Sequence, residues 1–334
     1  MAGAGTTERL RQAARRAAAA AERARALPLI RPRRNLPALA GAYHGHAPHR
    51  KAPYAAQHPQ AQRLNAAIAW AHSRPDVDAL ILTGSFVRDD GSADSHSDLD
   101  LEIIGPNPAA LAADDGWLRD IGPLLTVLRL GEGQAWPTRL AIYGDGVKID
   151  FTLAGPARLQ AMREHGLDPL YQRGYRVLLD KTGAAQDLPA PQGRPAAPAL
   201  PSEERFRERV EEFWFEAFHI PTYLARGELF VVKLRDWTMK ELLLEMLEWH
   251  AHSRPGMAAD CWHIGTRLQH WAEPAHWQAL HQAFGRFDAA DAERAFHATL
   301  RLYSQVAREV AARAGFDYPA AVEAGIRDLI HAPA

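Results

Sequence analysis

The chain of 334 residues contains one cysteine, Cys261. A lone thiol excludes an intramolecular disulfide and a thiolate zinc centre, so nothing in it points to an oxidising compartment, and a buried structural thiol is expected. No run comes near the roughly eighteen uninterrupted apolar residues that a membrane helix requires. A surplus of charge is missing too, since 39 Lys plus Arg stand against 40 Asp plus Glu. A groove that neutralises several nucleic-acid phosphates needs a clear basic excess, so no nucleic-acid partner is expected. P-loop, zinc and nucleophile-elbow patterns are also lacking. The Ala-rich opening, AARRAAAAAERARA, is broken by arginines and leads into no apolar signal core, so the expectation is a cytoplasmic monomer with no membrane contact.

What is present has the length of about two domains, and its 47% hydrophobic content is enough to bury two cores. The first fifty residues carry ten arginines against two glutamates and end in a Pro/Gly/His-rich stretch. They read as a basic, mobile arm over 1–56, with a marginal helix near 7–26. His44, His46 and His49 lie in it without a cysteine or carboxylate at ligand spacing, so a solvated linker is the expectation there. From Gln57 the pattern tightens, with Leu64, Ile68 and Ala71 at helical spacing before the breaker Pro75. The short apolar runs VDALILTGSF, LDLEIIG, TVLRL, TRLAIYGDG, VKIDFTLAG and RVLLDKTG follow as strands punctuated by glycine, the last as an edge element. An α+β domain, a mixed sheet with flanking helices, is therefore expected over 57–190. LPAPQGRPAAPALPS reads as an extended segment, which sets a linker at 191–202. Ser202 is an N-cap candidate ahead of Phe206, Val210, Phe213 and Phe218 in a helical stripe, and Gly315 closes the longest later helix. A helical bundle over 203–330 follows, with Trp249, Trp262, Trp271 and Trp277 as core residues.

The chemistry is concentrated in GSFVRDDGSADSHSDLDLEII. Alternate side chains of a strand share a face, so Asp98, Asp100 and Glu102 point one way and Leu99, Leu101 and Ile103 the other. In VKIDFTL the same alternation sets Lys148, Asp150 and Thr152 opposite Val147, Ile149, Phe151 and Leu153. If the two strands are neighbours, Asp150 joins the pair. Carboxylates crowded on one sheet face repel, and a divalent cation offsets that cost. Mg²⁺ is the natural choice, because it takes oxygen ligands from one or two carboxylates plus substrate phosphates. Gly84-Ser85 ends the preceding strand, where a glycine lets the backbone approach a phosphate closely, although Ser85 also reads as an ordinary turn residue. Glu102 lies deeper along its strand and is expected to support the ligands or to be solvated.

The order Gly-Ser, turn, Asp-Leu-Asp and a later strand Asp is similar to that of the DNA polymerase β-like nucleotidyltransferase superfamily. More closely, the chain resembles the aminoglycoside 6-adenylyltransferases, the streptomycin-modifying family. The blocks that carry the likeness are LTGSFV, SDLDLEII, YGDGVKIDFTL, RVLLDKTG with EEFWFEAFHIPTYLARGEL, and LLLEMLEWH with the closing AGFDYP, in that order over roughly 60–330. The resemblance implies a nucleotidyltransferase sheet followed by a helical substrate-binding domain, with ATP as co-substrate and two Mg²⁺ ions. It implies that Asp98 and Asp100 bridge the metals, that Asp150 is third ligand or base, that Gly84 and Ser85 meet the terminal phosphates, and that Lys233 reaches the triphosphate. Lys233 reads equally as a lysine lying along a helix surface. The substrate implied is an aminoglycoside, which would gain nothing from an arginine-rich neighbour and whose many positive charges call for an acidic pocket. Glu241, Glu245 and Glu248 share a helical stripe, and Glu212 lies beside Phe213 and Trp214. Glu212, Glu241 and Glu248 are accordingly the substrate candidates, against the bland alternative of a solvated helix face. Three rival readings stay open: modification of a protein or tRNA, for which the basic arm would have a use, a nucleotide-binding module without catalysis, and adenylylation of a different small polyamine or sugar antibiotic.

Overall fold

The computed structural model describes residues 59–88, 93–131, 133, 136–193, 200–256, 260–261 and 264–331. The arm expected over 1–56, its helix near 7–26, its three histidines, Trp262 and positions 194–199 of the Pro/Ala stretch lie outside the described residues. The chain divides into two compact units, Met1–Ala196 and Ala197–Ala334. Among the described residues no helix is long and apolar enough to cross a membrane.

In the first unit every apolar run named above becomes a strand: β1 (Ala79–Thr83), β2 (Leu99–Ile104), β3 (Leu124–Leu130), β4 (Thr138–Tyr143), β5 (Lys148–Ala154) and β6 (Arg176–Asp180). They form one mixed sheet in the order β3-β4-β5-β2-β1-β6, with β6 at an edge. All neighbours run antiparallel except β2 and β5, which are parallel. Four short helices accompany the sheet after α1 (Pro59–Ser73): α2 (Pro108–Ala113), α3 (Leu118–Ile121), α4 (Pro156–His165) and α5 (Pro169–Gln172).

The strand sequences explain why both faces are covered. Leu80 and Leu82 point one way with Leu99, Leu101, Ile103, Ile149, Phe151 and Leu153, and they pack with Leu64, Ala67, Ile68 and Ala71 of α1. Ala79, Ile81, Ile104 and Ala154 point the other way, against Leu159 and Met162 of α4 and Tyr171 of α5. A strand buried on both sides reads as a continuous apolar run, which is what ALIL is ahead of the buried Thr83. β2 departs from that rule. LDLEII places acids at alternate positions of the second face, and all six residues are nevertheless buried. Burial of carboxylates is costly unless a partner compensates it, so this face carries a purpose beyond packing.

The second unit is helical: α6 (Glu203–Ala225), α7 (Leu229–His252), α8 (Leu268–Trp271), α9 (Pro274–Ala283), α10 (Ala289–Ala314) and α11 (Ala320–His331). Ser202 caps α6 by accepting the Arg205 amide at 3.2 Å, and Gly315, left-handed at φ 74°, ends α10. The buried stripe of α6 is Phe206, Val210, Phe213, Ala217 and Ile220. The expectation that Phe218 completes that stripe is corrected, because Phe218 is 41% exposed. The smaller Ala217 and the later Ile220 continue the helical period, and Phe218 falls one position outside it. Trp271 is buried, Trp249 and Trp277 pack at the margin of the same core, and Cys261 is buried within it.

Candidate active site

The parallel register of β2 and β5 sets Asp100 beside Asp150. Asp98 directly precedes β2, two residues before Asp100, and so shares its face. The loop that delivers Asp98 is held by its own side chains. The Asp94 amide donates to Ser97 Oγ at 2.7 Å, Asp94 Oδ1 accepts the His96 amide at 2.9 Å, and Gln60 of α1 donates to the Ser95 carbonyl at 2.9 Å. Asp98, Asp100 and Asp150 are all buried, Asp150 completely.

Lys148 completes the cluster. Its Nζ donates to Asp98 Oδ2 at 2.8 Å and to Asp150 Oδ2 at 2.6 Å, so the ammonium lies between the two carboxylates. Burial disfavours its charge, yet Asp150 and Asp98 hold Lys148 above the usual lysine range. Burial, followed by repulsion from Asp98 and Asp150, pushes the Asp100 carboxyl well above the ordinary carboxylate range. Burial also raises Asp150 to about 6, against the pull of Lys148. Lys148 and Arg88, which also draws Asp100 down, leave three close carboxylates short of one positive charge, and Asp98 Oδ1, though buried, has no hydrogen-bond partner among the described residues. The donors are all hard oxygens. That set fits a divalent cation of the Mg²⁺ type.

Gly84 shapes the other wall. Thr83, the last residue of β1, stands opposite Asp100, and the chain then turns through Gly84 at φ 73°. A Cβ at Gly84 would stand 1.8 Å from Asp100 Oδ2, so both the conformation and the close approach require glycine. Gly84→Ala is expected to destabilise the protein by about 1–3 kcal/mol and to lower turnover by displacing Asp100. Urea unfolding and initial rates check this, and an alanine variant with parental stability and rate would show that the approach is not needed. Beside Gly84, Ser85 Oγ is fully buried without a hydrogen-bond partner among the described residues.

Glu102 is neither solvated nor a neighbour of Lys148. It is buried and forms an ion pair with Arg158 of α4, whose Nη2 also reaches Asp168 at 2.7 Å. The sheet thus brings together Gly84, Ser85, Asp98, Asp100 and Asp150, and it sets Glu102 apart in a different ion pair.

The remaining candidates belong to the second unit. Lys233 on α7 donates from Nζ to the Gly285 carbonyl at 2.8 Å. Glu212 on α6 pairs with Arg209, whose Nε also lies 3.0 Å from Glu245 Oε2. Glu241 is exposed on α7. Glu248, partly buried on the same helix, is raised to about 8 by burial and then by repulsion from Glu245. A carboxyl raised in the fold costs nothing below its unfolded value near 4.5, and the cost of ionising it grows up to about 8. Glu248→Gln should therefore raise the melting temperature at pH 9 and leave it unchanged at pH 4. Melts at the two pH values decide, and an equal effect at both would show that Glu248 ionises freely. Two basic residues that meet the candidate carboxylates escaped the sequence reading. Lys148 was visible on the Asp150 face, but alternation does not say which carboxylate a lysine meets. Arg209 carried no signal.

The family model described as streptomycin adenylyltransferase matches residues 59–332. No curated protein matches the chain. Among solved structures, an aminoglycoside 6-adenyltransferase from Bacillus subtilis is similar at 16% identity, with 80% of this chain and 97% of that one covered and a TM-score of 0.37. A nucleotidyltransferase-like protein from Exiguobacterium sibiricum is similar at 10% identity over 76% and 77% of the two chains, with a TM-score of 0.30.

Proposed function

The chain belongs to the streptomycin adenylyltransferase family and is a nucleotidyltransferase, and from that premise we propose that it moves AMP from ATP to a hydroxyl of a streptomycin-like aminoglycoside, releasing pyrophosphate. The observation that carries this reading is the register that sets Asp100 beside Asp150, with Asp98 on the same face and Gly84 closing on Asp100. Asp98, Asp100 and Asp150 would hold the Mg²⁺ ions, two in number. When bound, such ions neutralise triphosphate charge and lower the pKa of the attacking hydroxyl.

The chain's own groups do the rest. Asp150, at about 6, is ionised near neutral pH and is the base that takes the hydroxyl proton on a carboxylate oxygen. Ser85 Oγ, which lacks a partner among the described residues, donates to a phosphate oxygen, and the turn at Gly84 lets the backbone come close. Lys148, which bridges Asp98 and Asp150, would hold a positive charge at hand for the pyrophosphate leaving group. Lys233 pairs with the Gly285 carbonyl inside the helical unit and is a candidate for the triphosphate on the family resemblance alone. Glu248 serves the drug. An ammonium or guanidinium group of the substrate restores its ionised form, so binding and deprotonation reinforce one another. Glu212 and Glu241 are the weaker members of that acidic set, and Glu212 has to exchange Arg209 for substrate.

The test is incubation of the purified full-length protein with α-labelled ATP or GTP and a panel of aminoglycosides, total RNA and cell protein. Label transferred from ATP to a streptomycin-type drug is expected. Label entering RNA or protein instead would overturn the drug reading in favour of a macromolecular substrate, and pyrophosphate release with none of them would overturn both.

A further inference from the structure

The helical unit contains a second cluster of metal-ligating side chains, which nucleotidyl transfer does not use. His250 near the end of α7, His276 in the first turn of α9 and Glu309 on α10 bring one ligand atom each to within 4.8 Å of one another. His250 Nε2 lies 2.7 Å from Glu309 Oε2, and His276 Nε2 lies 3.5 Å from Glu309 Oε1, so two imidazoles face the two oxygens of one carboxylate. Both histidines are buried, at 1% and 2% exposure, and their rings meet edge to face at 4.6 Å.

Hydrogen bonding alone does not satisfy this cluster. Arg313 Nη1 also lies 2.7 Å from His250 Nε2. A protonated Nε2 can donate to Glu309 but then opposes the arginine, and a bare Nε2 can accept from the arginine but then opposes the carboxylate. One ring nitrogen cannot serve both. Gln305, which reaches Glu309 Oε1 at 3.0 Å and His276 Nε2 at 3.4 Å, does not remove the conflict. A divalent cation would, by taking the lone pairs of both Nε2 atoms and of Glu309, while Arg313, one-third exposed in the last turn of α10, swings to solvent.

We propose that His250, His276 and Glu309 form a transition-metal site in the helical unit. Two imidazoles and one carboxylate suit Zn²⁺, Co²⁺ or Ni²⁺ and not Mg²⁺, which avoids nitrogen ligands. The three ligands come from three helices, so an ion there ties α7, α9 and α10 together. In this structure the Arg313 guanidinium lies against the His250 Nε2 atom that such an ion would need.

The experiment uses the full chain without an affinity tag, with Asp98, Asp100 and Asp150 replaced by Asn and His44, His46 and His49 by Gln, so that neither the sheet carboxylates nor the arm can bind. Co²⁺ is titrated, with visible absorption and calorimetry as readouts. One equivalent is expected to bind and to give visible Co²⁺ bands. Adding His276→Gln or Glu309→Gln, each with an unchanged circular dichroism spectrum, should weaken binding by more than about tenfold. Adding Arg313→Ala should tighten it severalfold by removing the competitor, which a purely structural arginine would not do. Absence of the Co²⁺ bands, binding that survives both ligand substitutions, or weaker binding after Arg313→Ala would overturn the proposal.

Discussion

Asp100→Asn should lower kcat by about a thousandfold or more while the protein still folds. Asparagine keeps the shape of the side chain and removes one negative charge from the face on which Asp98 and Asp150 also lie. The fold has no need of that charge. Burial and its two neighbours hold the Asp100 carboxyl well above the ordinary carboxylate range, so ionising it costs stability at neutral pH. A carboxyl raised by folding destabilises the protein as pH rises above the unfolded value and has no effect below it. Without metal, the Asn variant should therefore melt higher than the parent at pH 7.5 and equally at pH 3. Pyrophosphate release and thermal melts together make the test. Turnover within tenfold of the parent would remove Asp100 from the site, whereas loss of both activity and stability would assign it to the fold. Asp150→Asn should reduce turnover comparably, since that side chain is ligand, base or both.

The largest stability effect is expected away from Asp98, Asp100 and Asp150, at Arg158→Met. Glu102 and Arg158 are almost inaccessible, with side-chain exposures of 3% and 7%, and the guanidinium also lies over the rings of Trp136 and Tyr171. Removing one partner of a buried pair leaves an uncompensated charge, at a cost of about 3–5 kcal/mol. Burial already pushes Glu102 up against the pull of Arg158, and without the arginine its carboxyl rises further. The deficit should be largest at pH 8 and shrink toward pH 4, where the acid is neutral in both states. The double variant Glu102→Met, Arg158→Met should recover most of the loss. Urea unfolding of the two single variants and the double variant gives the coupling. A loss below about 1 kcal/mol for Arg158→Met would place the pair in the class of surface ion pairs.

Much of the sheet was legible because strand patterning is local. Alternation around Asp98, Asp100 and Asp150 separated acids from apolar residues within a few positions, and burial on both faces left Ala79–Leu82 apolar. Pairing was not legible in the same way. Nothing local says that β2 lies parallel to β5 and not beside β4, so the proximity of Asp150 to Asp100 was conditional on that neighbourhood. Contacts between long charged side chains were less legible still. Arg158 meets Glu102 across 56 positions, and Lys148 meets Asp98 across 50. His250, His276 and Glu309 sit on three helices with no short spacing among them. The misplacement of Phe218 has a different origin, because a large exposed aromatic residue imitates a core position in any pattern built on hydrophobicity alone.

The β2–β5 pairing also bears on how the chain is expected to fold. Its neighbours on either side, β1 with β2 and β4 with β5, close shorter segments, whereas Asp100 and Asp150 face each other only after the intervening chain, with its own helices and hairpin, has been folded back. Loop closure across such a separation is entropically unfavourable until the surrounding sheet rewards it, and contacts of long sequence separation form slowly. The strand that carries Asp98 and Asp100 and the strand that carries Asp150 therefore each acquire local structure before the carboxylates converge. Far-ultraviolet circular dichroism should recover ahead of metal affinity during refolding, because the ligand set is created by the joining of the two halves of the sheet and does not exist in either half.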